Sequence, residues 1–467
     1  MIGVLDSGIG GVTVLKELLK ILPHEKFIYY SDSLNNPYGD KSFDELKKIV
    51  FRVVDIFIEK NCKIIVIACN TASTLSTCLR EKYSTPIVAS EPAYKMIYDN
   101  DFSEKTLVIA TKATINSDKF QQLYHKYDNH NTTLLSCSGL ADLVEEGNQK
   151  KIDNYLKTRG LLFFVIFICV NIIAVLPVNN IIVDIFSHFR LQYLIFSFLF
   201  LVLFIYLFCL NKKYIVYCFV CFVLIFLNLF EIFPYIGRYE SFNQGNIVKL
   251  ALYNVLTSNK NYDGFLVSVY QENPDIIILQ ETDDIWLEHI KDLKKFYPYY
   301  IEHSRLDNFG ISMYSKIPFT NTDIELWTDF EVPVVVANFK MFSQDLRIYG
   351  IHTLPPTSKD YFRVRNEMLK KINTISSQEN FKNLVFAGDF NTTIYSNSYK
   401  KYIKSSVLKD CQILAKNVNG TWNARYIPIF RISLEHVLIS PKILMNSFKI
   451  GKNFGSDHLP VYVELSF

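Results

Sequence analysis

The chain has no cysteine pattern of the kind that a metal or a disulfide framework needs. Its nine cysteines are scattered: Cys62, Cys69, Cys78 and Cys137 come early, Cys169, Cys209, Cys218 and Cys221 fall in an apolar middle, and Cys411 stands alone. No CxxC pair faces a second CxxC or an HxxxH, which argues against a structural zinc site. There is no excess of one charge. The 467 residues carry 49 Lys and Arg against 46 Asp and Glu, and a net charge of +3 does not by itself select a nucleic-acid partner. Internal repeats are absent, as are linkers rich in proline, glycine or serine. The beginning of the chain lacks a secretory pattern, because Asp6 interrupts the first apolar stretch and no long apolar run follows it. What the chain has in quantity is apolar residues, 49%, and aromatic ones, 15%, enough to bury a core and to exclude a disordered, collagen-like or low-complexity class. At roughly 100–200 residues per domain, the length admits two or three domains.

The apolar residues are concentrated in the middle. LLFFVIFICVNIIAVL (161–176), LQYLIFSFLFLVLFIYLFCL (191–210) and YIVYCFVCFVLIFLNLF (214–230) carry no charge. A bilayer core is crossed by about 20 apolar residues. The expectation is therefore three membrane-spanning helices within 158–239, the first ended by Pro177 and the third reaching full length through 232–236. Lys150, Lys151, Lys157 and Arg159 precede the first span, Arg190 lies with Asp184 and His188 in the first loop, and Lys212 and Lys213 fill the second. By the positive-inside rule this charge pattern predicts a multi-pass protein of the inner or plasma membrane, with residues 1–157 cytoplasmic and 245–467 outside. The lone Cys411 suits an oxidising compartment, since it has no partner with which to mispair.

Residues 1–157 alternate strands and helices, which predicts a parallel sheet. IGVLD (2–6), KIIVIACN (63–70), TPIVAS (85–90) and TLVIAT (106–111) read as strands, and 12–22 as a helix. Chemistry in such sheets collects at the carboxyl ends of strands, where Asp6, Ser7, Cys69, Asn70, Thr71 and Thr111 fall. On position alone Cys69 reads as structural. The ordered strings LDSGIGGVTVL, DSLNNPYGDK, ACNTAS, SEPA, TKATINS and CSGLADLVEEG, however, resemble glutamate racemase up to about Gly147. The resemblance implies that Cys69 is one of two opposed cysteines acting on the α-carbon of glutamate. It implies that Asp6, Ser7, Tyr38, Gly39, Asn70 and Thr71 hold the amino acid. The family's second cysteine lies in a Cys-Thr-His string, and no such string occurs downstream here. Racemisation by two bases needs an acid on each face. The expectation is a truncated racemase-like region without activity; the alternative is a working racemase supplying D-glutamate for peptidoglycan.

Residues 245–467 read as a second α/β domain. Strands are expected at KLALYNV (249–255), PDIIILQET (274–282), ISMYSKIP, VVVANF, LRIYGIHT, NLVFAGDFN (383–391), LEHVLIS (434–440) and within FGSDHLPVYVEL (454–465). Helical patterns fall near 263–272, 286–296 and 360–377, and together these predict a two-sheet α/β sandwich. Asn254, Glu281, His352, Asp389, Asn391, Glu435, Asp457 and His458 recur at strand ends. Several carboxylates and two histidines in that register suit a hard cation, Mg²⁺ or Mn²⁺, and a phosphate ester.

The strings YNV, LQET, GIHTLPP, GDFN, LEH and GSDHLP resemble the endonuclease/exonuclease/phosphatase family. HTLPP, Arg363, Arg365 and the preceding apolar runs resemble its membrane-anchored bacterial branch. The resemblance implies Glu281 as the Mg²⁺ ligand, helped by Asn254 and Asp457. It implies Asp389 acting on the attacking water, Asn391 and His352 on phosphate oxygens, and His458 on the scissile phosphate. Glu435 stands where the family usually has Asp, as the partner of His458. The sequence leaves open nucleic acid, lipid headgroup or sugar phosphate as substrate.

Overall fold

The first strand, β1 (Ile2–Asp6), is buried along its whole length, so it needs cover on both faces. In the computed structural model it is the second strand of a parallel sheet ordered β2-β1-β3-β4, with β2 (Phe27–Ser31), β3 (Ile64–Ile67) and β4 (Ile87–Ala89). Helix α1 (Gly11–Ile21) follows β1, and α2 (Phe43–Glu59) turns Leu46, Val50, Val53, Val54 and Phe57 into the core. The structure describes residues 1–90, 106–127, 132–137, 140, 143, 149–237, 239, 245–341, 344–378 and 383–467. The SEPA string beyond Ser90, most of CSGLADLVEEG and Arg238 lie outside them. The chain divides into two units, Met1–Phe164 and Val165–Phe467.

The expected single parallel sheet of the first unit is two sheets. β5 (Thr106–Ala110) pairs only with β6 (Thr132–Ser136) among the described residues. This pair leaves Leu107, Ile109 and Leu135 about half exposed, at 55%, 55% and 45%. Apolar strand faces left open in this way lack the layer that would cover them. The strand expected at 63–70 stops at Ile67, and Cys69 becomes the N-cap of the short helix Asn70–Ser73.

Helices α3 (Gln149–Val175), α5 (Arg190–Leu210) and α6 (Ile215–Ile232) are long and apolar enough to cross a membrane. The first starts at Gln149 rather than at Leu161, because a helix continues through Lys150, Lys151 and Lys157 wherever its backbone bonds are satisfied. Phe198, Leu199, Val202, Phe219 and Phe226 stay exposed. Polar residues pair inward: Asn228 Nδ2 donates to Asn171 Oδ1 at 2.8 Å, and Arg190 donates to the Ala174 carbonyl near the end of α3. The loop between α3 and α5 holds α4 (Ile181–Ser187), which the hydropathy pattern does not show.

Beyond residue 245 the inner strands, such as 276–280 and 383–389, are buried on both faces. In β7 (Ile247–Asn254), Val248, Leu250 and Leu252 enter one core while Ala251 and Tyr253 enter another. A period of two therefore demands two layers around each sheet. One sheet has the order β17-β18-β7-β8-β10-β9, with β8 (Ile276–Gln280), β9 (Tyr299–His303), β10 (Ile311–Ser315), β17 (Leu444–Ile450) and β18 (Val461–Ser466). The other has the order β11-β12-β13-β14-β16-β15, with β11 (Phe319–Trp327), β12 (Val332–Met341), β13 (Gln344–His352), β14 (Asn383–Asp389), β15 (Lys409–Asp410) and β16 (Glu435–Ile439). Leu250, Ile278, Val335, Ile348 and Val385 fill the space between the sheets. Helix α7 (Tyr262–Glu272) covers the first sheet with Phe265 and Val269. Helix α8 (Lys359–Gln378) covers the second with Val364, Met368, Leu369 and Ile372. The helix expected over 286–296 is a helix over Asp284–His289 followed by a 3₁₀ turn over Lys291–Lys295.

Helix α4 is tied to this sandwich by charge. Arg365 Nη1 on α8 donates to Asp184 Oδ2 at 2.8 Å, and Ser396 Oγ donates to Asp184 Oδ1 at 2.5 Å. Both charged side chains are sealed from solvent, Arg365 at 0% and Asp184 at 2% exposure. His188 Nδ1 lies 3.0 Å from Thr393 Oγ1.

Candidate active site

Strand register brings the strand-end residues to one rim. β13 and β14 are parallel, and His352 is registered with Asp389. β14 and β16 are antiparallel, so the last residue of β14, Asp389, faces the first of β16, Glu435. β7 and β8 are parallel, placing Asn254 opposite Gln280 and Glu281 just beyond. β18 runs antiparallel to β7, so Asp457 and His458, which precede it, come to the same end.

Two glycines permit this approach. A Cβ on Gly388, whose φ is +149°, would meet the Ile351 carbonyl at 1.8 Å. One on Gly310 would meet the Thr282 carbonyl at 1.7 Å. Glu281 and Asn391 are themselves left-handed, with φ of 63° and 46°. That conformation costs about 1–2 kcal/mol for a residue with a Cβ and persists where the surroundings enforce it. Thr257 Oγ1 donates to the Glu281 carbonyl at 2.8 Å, and the Asn391 amide donates to Asp389 Oδ1 at 2.8 Å.

Asn254 joins two carboxyl groups. Its Nδ2 donates to Glu281 Oε1 at 2.9 Å and to Asp389 Oδ2 at 3.2 Å, while its Oδ1 accepts from the Leu256 amide at 3.1 Å. His352 Nε2 and His458 Nε2 each lie 3.8 Å from Asp389 Oδ2. His458 Nδ1 is 2.5 Å from Glu435 Oε1, so the longer Glu side chain does reach the imidazole. Asn391 is tied by its Nδ2 to the Thr353 carbonyl at 2.8 Å.

Burial acts against every charge here. It pushes the Asp389 and Glu281 carboxyls above the usual carboxylate range, and it drives His352 down to about 3. His458 moves the other way. Burial opposes its charge, but Glu435, then Asp389 and Asp457, raise it to about 9. Glu435 in turn is held below its ordinary value, because His458 outweighs the cost of burial. The result is one imidazolium and one neutral imidazole on either side of Asp389.

Glu281, His352, Asp389, Asn391, Asp457 and His458 line a cavity of about 640 Å³. Glu281, Asp389 and Asp457 face it, and the only basic residues among the described ones in its wall are His188, His352 and His458. Asp457 Oδ2 accepts from Trp422 Nε1 at 3.0 Å, while its Oδ1 is buried without a partner. Excess carboxylate and an orphaned carboxylate oxygen fit a hard divalent cation at Glu281 and Asp457. A buried cluster of Asp389, Glu435 and His458 also has donor atoms within 4.8 Å of one another. There, however, His458 Nδ1 is already engaged by Glu435, which suits proton handling better than cation binding.

The sequence reading missed Trp422, His188, Asp184 and Gln280. Trp422 and Asp184 carry no local pattern, and their partners Asp457 and Arg365 are distant in the chain. Gln280 lies in the LQET string, buried with both amide atoms unpartnered.

In the first unit, Asp6, Ser7, Cys69, Asn70 and Thr71 lie together at the strand ends. Ser7 Oγ is 3.5 Å from Cys69 Sγ, and Asp6 Oδ2 accepts from the amides of Gly8 at 3.2 Å and Gly11 at 2.9 Å. Burial raises the Cys69 thiol, and with it the protonated form. Tyr38 donates to Asp32 Oδ2 at 2.7 Å, and Gly39 packs on Thr111.

Residues 251–458 match the sequence profile of the Endonuclease/Exonuclease/phosphatase family, which supports a hydrolase of phosphate-ester bonds. The N-terminal part is 43% identical over 163 residues to glutamate racemase of Clostridium acetobutylicum, covering 34% of this chain and 64% of that protein. It is 42% identical over 163 residues to the Clostridium kluyveri enzyme, covering 34% and 63%. The chain thus spans less than two thirds of the length of these racemases. Among solved structures, D. rerio TDP2 complexed with a single-strand DNA product is similar at 16% identity and a TM-score of 0.41, over 48% of this chain and 100% of that one. An endonuclease/exonuclease/phosphatase family protein of Bacteroides thetaiotaomicron is similar at 19% identity and a TM-score of 0.40, over 48% and 99%. The chain therefore joins a glutamate racemase-like segment of about 160 residues to a segment, residues 251–458, of the Endonuclease/Exonuclease/phosphatase family.

Proposed function

We propose that residues 245–467 are a Mg²⁺- or Mn²⁺-dependent phosphoesterase, anchored in the inner or plasma membrane by the three apolar helices and facing away from the cytoplasm. The observation that carries the reading is the convergence of Glu281, Asp389 and the Glu435–His458 pair on one cavity. Glu281, with Asp457, would hold the cation, which when bound would neutralise phosphate charge and polarise the ester. Asn254 fixes the distance between the Glu281 and Asp389 carboxyls. Asp389 takes a proton from the attacking water, while His458, charged and oriented by Glu435, faces the phosphate. His352, kept neutral by burial, offers a hydrogen bond without adding charge.

Glu281→Gln is expected to raise the Mg²⁺ concentration for half-maximal hydrolysis of bis(p-nitrophenyl) phosphate by about 10-fold or more, because an amide lacks the charge that holds a hard ion. The check is a Mg²⁺ titration of the full-length protein in detergent. An unchanged midpoint would remove Glu281 from the cation site.

For the first unit we infer a racemase-like half-site without racemisation. Cys69 has no opposed thiol from a Cys-Thr-His string, and a single base returns the proton to the face it came from. Full-length protein incubated with L-glutamate should leave its circular dichroism unchanged. A decay of the signal that is lost in Cys69→Ser would show the opposite.

A further inference from the structure

We infer that the ester taken by this site is amphiphilic: a phospholipid whose phosphate enters the cavity from the bilayer surface while its apolar tails stay in the membrane. The inference rests on the phosphoesterase reading above and names its substrate class. It starts from the composition of the cavity wall. Ile185, His188 and Phe189 come from the corner between α4 and α5, the turn that opens the second apolar span, so the membrane region itself builds one side of the site.

A second part of the wall is bound to the same span. Gln192 Nε2 on α5 donates to the carbonyls of Ile429 at 2.9 Å and Arg431 at 3.1 Å. One turn further along α5, Phe196 stacks on Phe430 with ring centroids 6.1 Å apart. The segment 426–432 therefore runs beside the first two turns of the span, and its last residue, Ile432, lines the cavity. On its outside Tyr426, Ile427 and Ile429 are 55%, 51% and 41% exposed. Three neighbouring large apolar side chains are costly in water, but beside the end of a membrane helix they lie at interfacial depth.

The cavity wall mixes polar and apolar side chains, and Phe309 lies against His352 with ring centroids 5.2 Å apart. Asp389, His352 and Glu281 supply polar groups; Ile185, Phe189, Phe309 and Ile432 supply apolar surface. No lysine or arginine is among the described residues of its wall. Proteins that hold nucleic acid rely on such residues along the phosphate backbone. A small sugar phosphate would leave the apolar side chains of Ile185, Phe189 and Ile432 without a partner. A phospholipid satisfies both kinds of side chain and reaches them from the membrane without leaving it. In the reaction, the oxygen of water bonds to phosphorus and the P–O bond to the alcohol breaks. The water proton passes through Asp389 to solvent, and the alcohol oxygen leaves with a proton from solvent.

The test uses the full-length protein reconstituted in vesicles with Mg²⁺. The probes are diacyl phosphatidate and diacyl phosphatidylglycerol of increasing chain length, their deacylated water-soluble headgroup esters, a single-stranded oligonucleotide, and bis(p-nitrophenyl) phosphate. The expected result is a kcat/KM for one of the lipids at least about tenfold above its deacylated counterpart, rising with chain length. In Ile185→Asp and Phe189→Ser that rise should flatten, which a general loss of folding would not produce. Hydrolysis of the oligonucleotide or of a deacylated ester as fast as the lipids overturns the inference, and so does cleavage of bis(p-nitrophenyl) phosphate with no gain on acylation; both leave the phosphoesterase reading standing. Failure to hydrolyse any probe overturns that reading and this inference with it.

Discussion

Replacing Asp389 by asparagine is expected to lower kcat by about 10²–10⁴-fold while the protein still folds, the range over which a positioned general base acts. The carboxyl is held from three sides. Its Oδ1 accepts the Asn391 amide at 2.8 Å, its Oδ2 accepts Asn254 Nδ2 at 3.2 Å, and two imidazoles stand 3.8 Å away. Asparagine has the same shape, so Asp389→Asn preserves the packing of a residue with 0% exposure. It removes the negative charge and the acceptor for the proton of water. Initial rates at saturating Mg²⁺, with a thermal melt as the folding control, decide the matter. A variant that keeps a tenth of the parent rate would exclude Asp389 as the base. The pair behind it should respond to length and charge separately. Glu435→Asp is expected to stay active, whereas Glu435→Ala should lose about 10²-fold, because His458 is then left without the carboxylate that charges and orients it.

The largest effect on stability is expected at Asp184, a residue of the loop between the first two apolar helices. Asp184→Ala leaves the Arg365 guanidinium buried without the carboxylate that balances its charge, and breaking a buried pair in this way costs about 3–5 kcal/mol. The damage should reach the site as well, since Arg365 Nη1 also donates to the Asn391 carbonyl at 3.1 Å. Asp184→Leu combined with Arg365→Met should recover most of the stability, because an apolar pair of similar volume needs no desolvation. Burial works against the Asp184 carboxylate, yet His188 and Arg365 hold its acidity well below the ordinary 3.8. A carboxyl so depressed contributes stability that is complete above the unfolded value, near pH 4, and is lost as pH falls below it. Acid unfolding of the parent should therefore steepen below about pH 4, and Asp184→Leu with Arg365→Met should lack that component. Thermal melts from pH 2 to 7 in detergent check both statements. An Asp184→Ala midpoint equal to the parent's at neutral pH would mean that the pair holds nothing together.

Much of the candidate site is legible in the sequence because its residues end strands. A buried strand such as NLVFAGD must stop where polar groups begin, so Asp389 and Asn391 mark a strand end before any partner is known. The same holds for Asn254 after LALY and for His352 after RIYGI. The racemase-like strings are legible for another reason, since they are contiguous and specific. The partners are not legible in this way. Asp184 reads as an ordinary loop acid between two apolar runs, and nothing near it announces Arg365 on a helix 181 residues later. Trp422 sits in the unremarkable string NGTWN, and only the fold brings its indole to Asp457.

By itself the sequence determines many of the elements: the three apolar helices, through run length; the inner strands of the sandwich, as apolar runs that end in polar groups; and the likeness to glutamate racemase up to about Gly147, through the order of its strings. Only the tertiary structure decides which ends meet. Parallel pairing of β13 with β14 and antiparallel pairing of β14 with β16 set His352, Asp389 and Glu435 abreast, and one residue of slip would turn Glu435 to the opposite face. The tertiary structure also decides that the loop between the first two apolar helices forms part of the cavity wall. Hydropathy reports the cost of placing a helix in water, whereas the docking of α4 depends on a buried ion pair between distant residues, a term that no local pattern contains.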